Sequence, residues 1–124
     1  MLEIKRDEER EYRISMEAIV DAYGPEEQAL GWYYYLKEKL QFPFEAKCIR
    51  VRNISPLQID ETVKVIGMVD VYDCMAEMFV KIEWTGRIFG VPLSQLTGIE
   101  VDSETEEAIA DWHYWTGRGY LLYG

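Results

Sequence analysis

Residues 78–91 read MFVKIEWTGRIFGV, and the reading of this stretch decides the fold. Met78, Val80, Ile82 and Trp84 fall on one side of an alternating run, with Phe79, Lys81 and Glu83 on the other. A period of two belongs to a strand with one buried face. Thr85–Gly86 then supplies a tight-turn signal, and RIFGV returns from it, so the stretch predicts a hairpin.

Outward from the hairpin, short strands recur. AKCIRV, from Ala46, and TVKVIGM, from Thr62, are separated by the turn SPLQIDE. In TVKVIGM, Val63 and Val65 alternate with Lys64 and Ile66. VDVYDCMAE reads as a loop, PLSQL as a single tight turn and GIEV as a last strand. Five short strands joined by brief loops predict a small antiparallel barrel. Long loop, hairpin, one-turn helix and final strand follow in an order similar to an SH3-like barrel. That likeness concerns architecture and carries no function.

The flanks read as helices. Glu3 to Tyr23 is charged first and then apolar at helical spacing, with Ile14, Ala18 and Val20. It predicts one amphipathic helix, or an extended arm leading into one. Gly24–Pro25 punctuates, and Pro25, Glu26 and Glu27 suit the first turn of a second helix running to Leu40. Ala29, Tyr33, Leu36 and Leu40 form its buried stripe. Trp32, Tyr34 and Tyr35 lie on other faces. Four consecutive aromatics cannot all face one core, so either the helix is covered on two sides or it shows an aromatic patch to a partner. Pro43 ends it.

The last element is SETEEAIADWHYW, from Ser103. Ser103 and Glu106 match a capping box, and Ala108, Ile109, Trp112 and Trp115 make a core stripe. Glu104, Glu107 and Asp111 share the opposite face. The expectation is therefore an α+β chain: helices over 1–42, a small antiparallel SH3-like β-barrel over 45–101 and a C-terminal helix over 102–116, all in a single domain 1–124.

The formal net charge is −10, from 23 acids against 13 bases. Residues 97–124 carry six acids (Glu100, Asp102, Glu104, Glu106, Glu107, Asp111) and only Arg118 against them. Such a field repels phosphates, which argues against nucleic-acid binding, and attracts cations. No apolar run approaches a membrane span. The charged start MLEIKRDEER has nothing of a signal peptide, so a cytoplasmic setting is expected. A disulfide between Cys48 and Cys74 stays open, although that setting favours free thiols. One histidine, His113, and two distant cysteines cannot build the usual four-ligand zinc site. His113, between Trp112 and Tyr114, reads as a packing or hydrogen-bonding residue. No phosphate loop, nucleophile elbow or nucleophile–base pair can be named, so no enzyme is expected.

Oxygen-rich loops are what remains. VDSETEEAIADWHYW begins like a calcium loop, with Asp102, Glu104 and Glu106. An EF-hand starting at Asp102 would need Gly at its sixth position and Glu at its twelfth. Glu107 and His113 stand there, so the segment is a capped helix start and not an EF-hand. Asp70, Asp73 and Glu77 fall within eight residues of one loop, where backbone carbonyls are also free. Asp60–Glu61 reads as a turn into a strand.

Together, DAYGPEEQALGWYYYLKEKLQFPF, VIGM, EMFVKIEW, VPLSQL and AIADWHYW resemble the CcbP-type bacterial calcium-binding proteins. The resemblance runs from Arg13 to Tyr120. It implies a small acidic cytoplasmic protein that binds Ca²⁺ without EF-hands and catalyses nothing. The matching ligand candidates are Asp70, Asp73 and Glu77 before EMFV, Asp102 and Glu104 in IEVDSETEEAI, and the charged turn Asp60–Glu61. Two readings follow. The first is a calcium buffer or sensor using loop carboxylates. The second is an SH3-like interaction module whose aromatic helix meets a protein partner and which has no specific metal site.

Overall fold

The computed structural model describes residues 4–120. Glu3, where the first helix was expected to begin, lies outside them. Helix α1 spans Glu8–Arg13 and continues through a π-helical turn, Ile14–Ala18. The Asp7 carboxylate caps it by accepting the Arg10 N–H at 3.0 Å. Ile14 and Ala18 face inward, while Val20, beyond the helix, is exposed.

Helix α2 spans Pro25–Lys39, with Pro25 in the first turn and Glu26 and Glu27 at the positive end of the helix dipole. Its predicted stripe is buried from Ala29 to Leu40. Trp32 and Tyr35 are buried too, and of the four aromatics only Tyr34 is exposed. So the helix is covered on two sides. An exposed aromatic face, which the interaction-module reading needs, is not formed.

Five strands make one antiparallel sheet: β1 Phe44–Cys48, β2 Thr62–Met68, β3 Phe79–Trp84, β4 Arg87–Pro92 and β5 Leu96–Ile99. Their order is β4-β3-β2-β1-β5. The hairpin is as read, and Thr85 and Gly86 both take positive φ, 51° and 79°, as a type I′ two-residue turn requires. A bulge between Val65 and Gly67 shifts the β2–β3 register. Val63, Val65, Val80, Ile82 and Val91 are buried.

The expected closed barrel is corrected to an open sheet. Strands β4 and β5 are its two edges and do not pair with each other. The single turn Leu93–Gln95 carries the chain between those edges, and the four-residue β5 finds its partner in β1.

Helix α3 spans Ser103–Gly117, and Ala108, Ile109, Trp112 and Trp115 are buried as the stripe predicts. Trp32 of α2 meets Trp112 edge-on, ring centroids 5.0 Å apart, and lies 5.6 Å from Trp115. Two expectations for this helix change. Its cap is Asp102, which accepts the Thr105 N–H at 3.4 Å and the Thr105 hydroxyl at 2.6 Å, while Ser103 is already the first helical residue. Asp111 does not join Glu104 and Glu107 in solvent. It is fully buried, held by Arg10 at 2.7 Å, Arg13 at 2.5 Å and the Tyr35 hydroxyl at 2.8 Å. A buried carboxylate needs such partners, and they tie α1 and α2 to α3.

Candidate metal site

The loop between β2 and β3 holds the densest group of expected ligands. Its middle is a 3-10 turn, Val71–Cys74. Asp70 caps that turn, its carboxylate accepting the Tyr72 N–H at 2.9 Å. Asp73 lies within the turn and is exposed. The turn is pinned from below. Tyr33 donates its hydroxyl to the Val69 carbonyl at 2.5 Å, and Cys74 is buried with its sulfur accepting the Phe79 N–H at 3.4 Å. Burial pushes the Cys74 thiol up to about 11.

Glu77 is engaged. Arg52 grips it with both arms of its guanidinium, at 2.7 and 3.0 Å, and the Ser94 hydroxyl lies 3.2 Å from the same carboxylate. This fork is the commonest strong geometry for such a pair. The hydrogen bond to Glu77 holds the Arg52 guanidinium above its ordinary range.

The other expected ligands sit elsewhere. Asp102 is spent on capping α3, and its hydrogen bond from the Thr105 hydroxyl holds its carboxyl below the usual range. Thr105 in turn accepts the Gln41 N–H at 3.0 Å, so the cap also fastens the end of α2. Glu104 is exposed in the first turn of α3. Asp60 takes a positive φ of 71° in the turn before β2, with Lys47 3.9 Å away. Glu61 folds back to accept the Gln58 N–H at 2.6 Å.

Asp70 and Asp73 are thus brought onto one short turn, while Glu77, Asp102, Asp60 and Glu61 have separate local contacts and Glu104 stands exposed on α3. Among the described residues, no three His, Cys, Asp or Glu side chains are grouped closely enough to hold an ion. The donor chemistry nevertheless selects a class of metal. Both cysteines are buried, and His113 places its Nε2 2.6 Å from the Leu96 carbonyl oxygen. Carboxylates and backbone carbonyls remain, which suit a hard cation such as Ca²⁺. Sequence reasoning did not find Arg52 as the partner of Glu77. Nothing in the periodicity of the 49–59 loop marks it.

Comparison with known proteins points to the same class of cation. Residues 12–116 match the CcbP family model, described as calcium binding. The crystal structure of Anabaena CcbP superposes with a TM-score of 0.85 at 44% identity, covering 97% of this chain and 98% of that one. A calcium binding protein in the calcium-binding form superposes with a TM-score of 0.84 at 43% identity, with the same coverage. No curated protein matches.

Proposed function

Because the chain belongs to the CcbP calcium-binding family, we propose that it binds Ca²⁺ itself, through loop carboxylates outside any EF-hand, and serves in the cytoplasm as a calcium buffer or sensor. The observation that carries this reading is the family match over 12–116 together with a relative in its calcium-binding form at 43% identity. Asp70 and Asp73 are the first ligands, supported by their place on one pinned turn with exposed carboxylates. Glu77, Asp102, Glu104, Asp60 and Glu61 follow them. Each of these except Glu104 must give up, or share, a contact it now makes. A site assembled only on binding gives up part of its affinity to that rearrangement. The sites are therefore weaker than a buffer-type EF-hand. The SH3-like order of elements stays an architectural likeness, and we assign no catalysis to the chain.

Melting curves test this reading. An ion held only by the folded chain stabilises it by mass action, so Ca²⁺ raises the melting temperature over chelator-treated protein. Asp70→Asn with Asp73→Asn removes most of that increment. Identical curves with Ca²⁺ and with chelator overturn the reading.

A further inference from the structure

We propose that β4 is a dimerisation edge: two copies of this chain join their β4 strands antiparallel about a twofold axis at Phe89, so that the two sheets become one. The inference is independent of the calcium reading.

The two edges of the sheet are finished differently. Edge β5 has four residues, and its Leu96 carbonyl oxygen already lies 2.6 Å from Nε2 of His113 on α3. Edge β4 has six residues, with no lysine among them and proline only at its last position, Pro92. Trp84 and Arg87 flank the two-residue turn and exchange hydrogen bonds, so the alternation of an antiparallel ladder makes Phe89 and Val91 bond β3 as well. Ile88 and Gly90 then turn their N–H and C=O groups outward. Among the described residues, no backbone group outside the ladder meets them.

A second copy is the occupant that fits. The outward groups of Ile88 and Gly90 match themselves when Ile88 faces the partner's Gly90, which sets Phe89 opposite the partner's Phe89 on the axis. This isologous register makes four backbone hydrogen bonds. Side chains complement one another in the same register. Ile88 is 60% exposed, and it would lie over a residue with no side chain, beside the Val69 methyl that stands 2.9 Å from where a Gly90 Cβ would be. On the other face, the half-buried Phe89, edge-on to Trp84 at 6.0 Å, meets its own copy. Pro56 lines a groove with Trp84 and Phe89, so apolar surface continues beyond the strand. Charge selects the same place. A net charge of −10 keeps copies apart elsewhere. Between Glu83 and Glu100 the only charged residue is Arg87, so the β4 strands of two acidic copies meet with no carboxylates opposed, each presenting a cation to its partner.

Sedimentation of the chelator-treated whole chain over a concentration series tests the dimer. A strand pair with a few apolar contacts belongs at the small end of specific interfaces, so the mass should climb from one copy toward two between roughly 1 µM and 1 mM. Ile88→Lys, at an exposed position, sets a charge on the edge and should weaken association at least about tenfold. Gln41→Lys adds the same charge at the exposed end of α2 and should leave association unchanged. Register has its own readout. Phe89→Cys should cross-link to its own copy under mild oxidation, because antiparallel partners that are not hydrogen-bonded stand within disulfide reach, and Cys48 and Cys74 are buried. Ile88→Cys, whose counterpart is Gly90, should cross-link several-fold less. Exchange of the Ile88 and Gly90 amides should slow as the concentration of the unsubstituted chain rises. A chain that stays monomeric to millimolar concentration overturns the proposal and leaves the edge to solvent or to another protein's strand. So does association that Ile88→Lys leaves intact, equal cross-linking from positions 88 and 89, or amide exchange that ignores concentration.

Discussion

Asp111 on α3 accepts an N–H from Arg13 on α1 across 2.5 Å, although the two stand 98 residues apart. Its hydrogen bond holds the Arg13 guanidinium above its ordinary range. Arg10 and the Tyr35 hydroxyl complete the cluster, so three helices converge on one buried carboxylate. Replacing that carboxylate leaves two guanidinium groups facing an interior amide. Asp111→Asn is expected to cost about 2–4 kcal/mol, somewhat less than breaking a fully buried pair, because both arginines keep some contact with solvent. Urea unfolding measures it. A cost under about 1 kcal/mol would show that the cluster is not what ties α1 down.

Gly31 gives a prediction whose sign is opposite to helix propensity. Alanine in a helix interior is ordinarily better than glycine by about 1 kcal/mol. A Cβ at Gly31, however, would run into the Ala18 carbonyl oxygen, where α2 crosses the π-helical turn. The clash is with backbone and cannot rotate away. Gly31→Ala should destabilise by about 2–3 kcal/mol, measured by thermal unfolding. A neutral or stabilising result would mean that the two helices separate easily.

The start of α3 separates capping from metal binding. Asp102 caps the helix and Ser103 does not. Asp102→Ala should therefore lower the melting temperature by a few degrees while Ser103→Ala leaves it nearly unchanged. If Asp102 is also a ligand, its variant loses Ca²⁺ affinity as well. Equal effects of the two substitutions on melting would return the cap to Ser103.

His113 is the only histidine, which makes its titration readable. Burial pushes its imidazole below the ordinary 6.5, since the folded interior favours the neutral ring. The unfolded chain then binds a proton at a pH where the folded chain does not. The stabilisation is complete above about pH 6.5 and is lost as pH falls through the lowered folded value. Proton NMR of the imidazole should give a midpoint below 6.5 in the folded chain, and His113→Asn should flatten this part of the stability profile. A midpoint at or above 6.5 would contradict the half-buried, neutral ring.

Much of the fold was legible because local pattern and tertiary role agree. The alternation Met78–Val80–Ile82 and the Thr85–Gly86 turn give their hairpin directly, and the stripes of α2 and α3 are buried as spaced. Sheet closure was not legible, because strand count and loop length do not say whether the edge strands meet. Asp111 was misread for a physical reason. Its spacing with Glu104 and Glu107 imitates a solvated face, and its partners lie on helices far away in sequence. Arg10 and Arg13, three residues apart in an acidic chain, were the available sign. Two good cap residues stand side by side at 102–103, and the capping-box pattern favoured the wrong one. For the site, acidic loops were visible in the sequence, but the ion pair that occupies Glu77 was not.

The central claim is that Ca²⁺ is bound by oxygen ligands on the β2–β3 loop, and calorimetric titration of chelator-treated protein at moderate salt tests it most directly. The account predicts saturable Ca²⁺ binding at one or two sites, weaker than a buffer-type EF-hand, and lowered at least about tenfold in Asp70→Asn with Asp73→Asn. A flat titration into the millimolar range, or full affinity in that double variant, would contradict it.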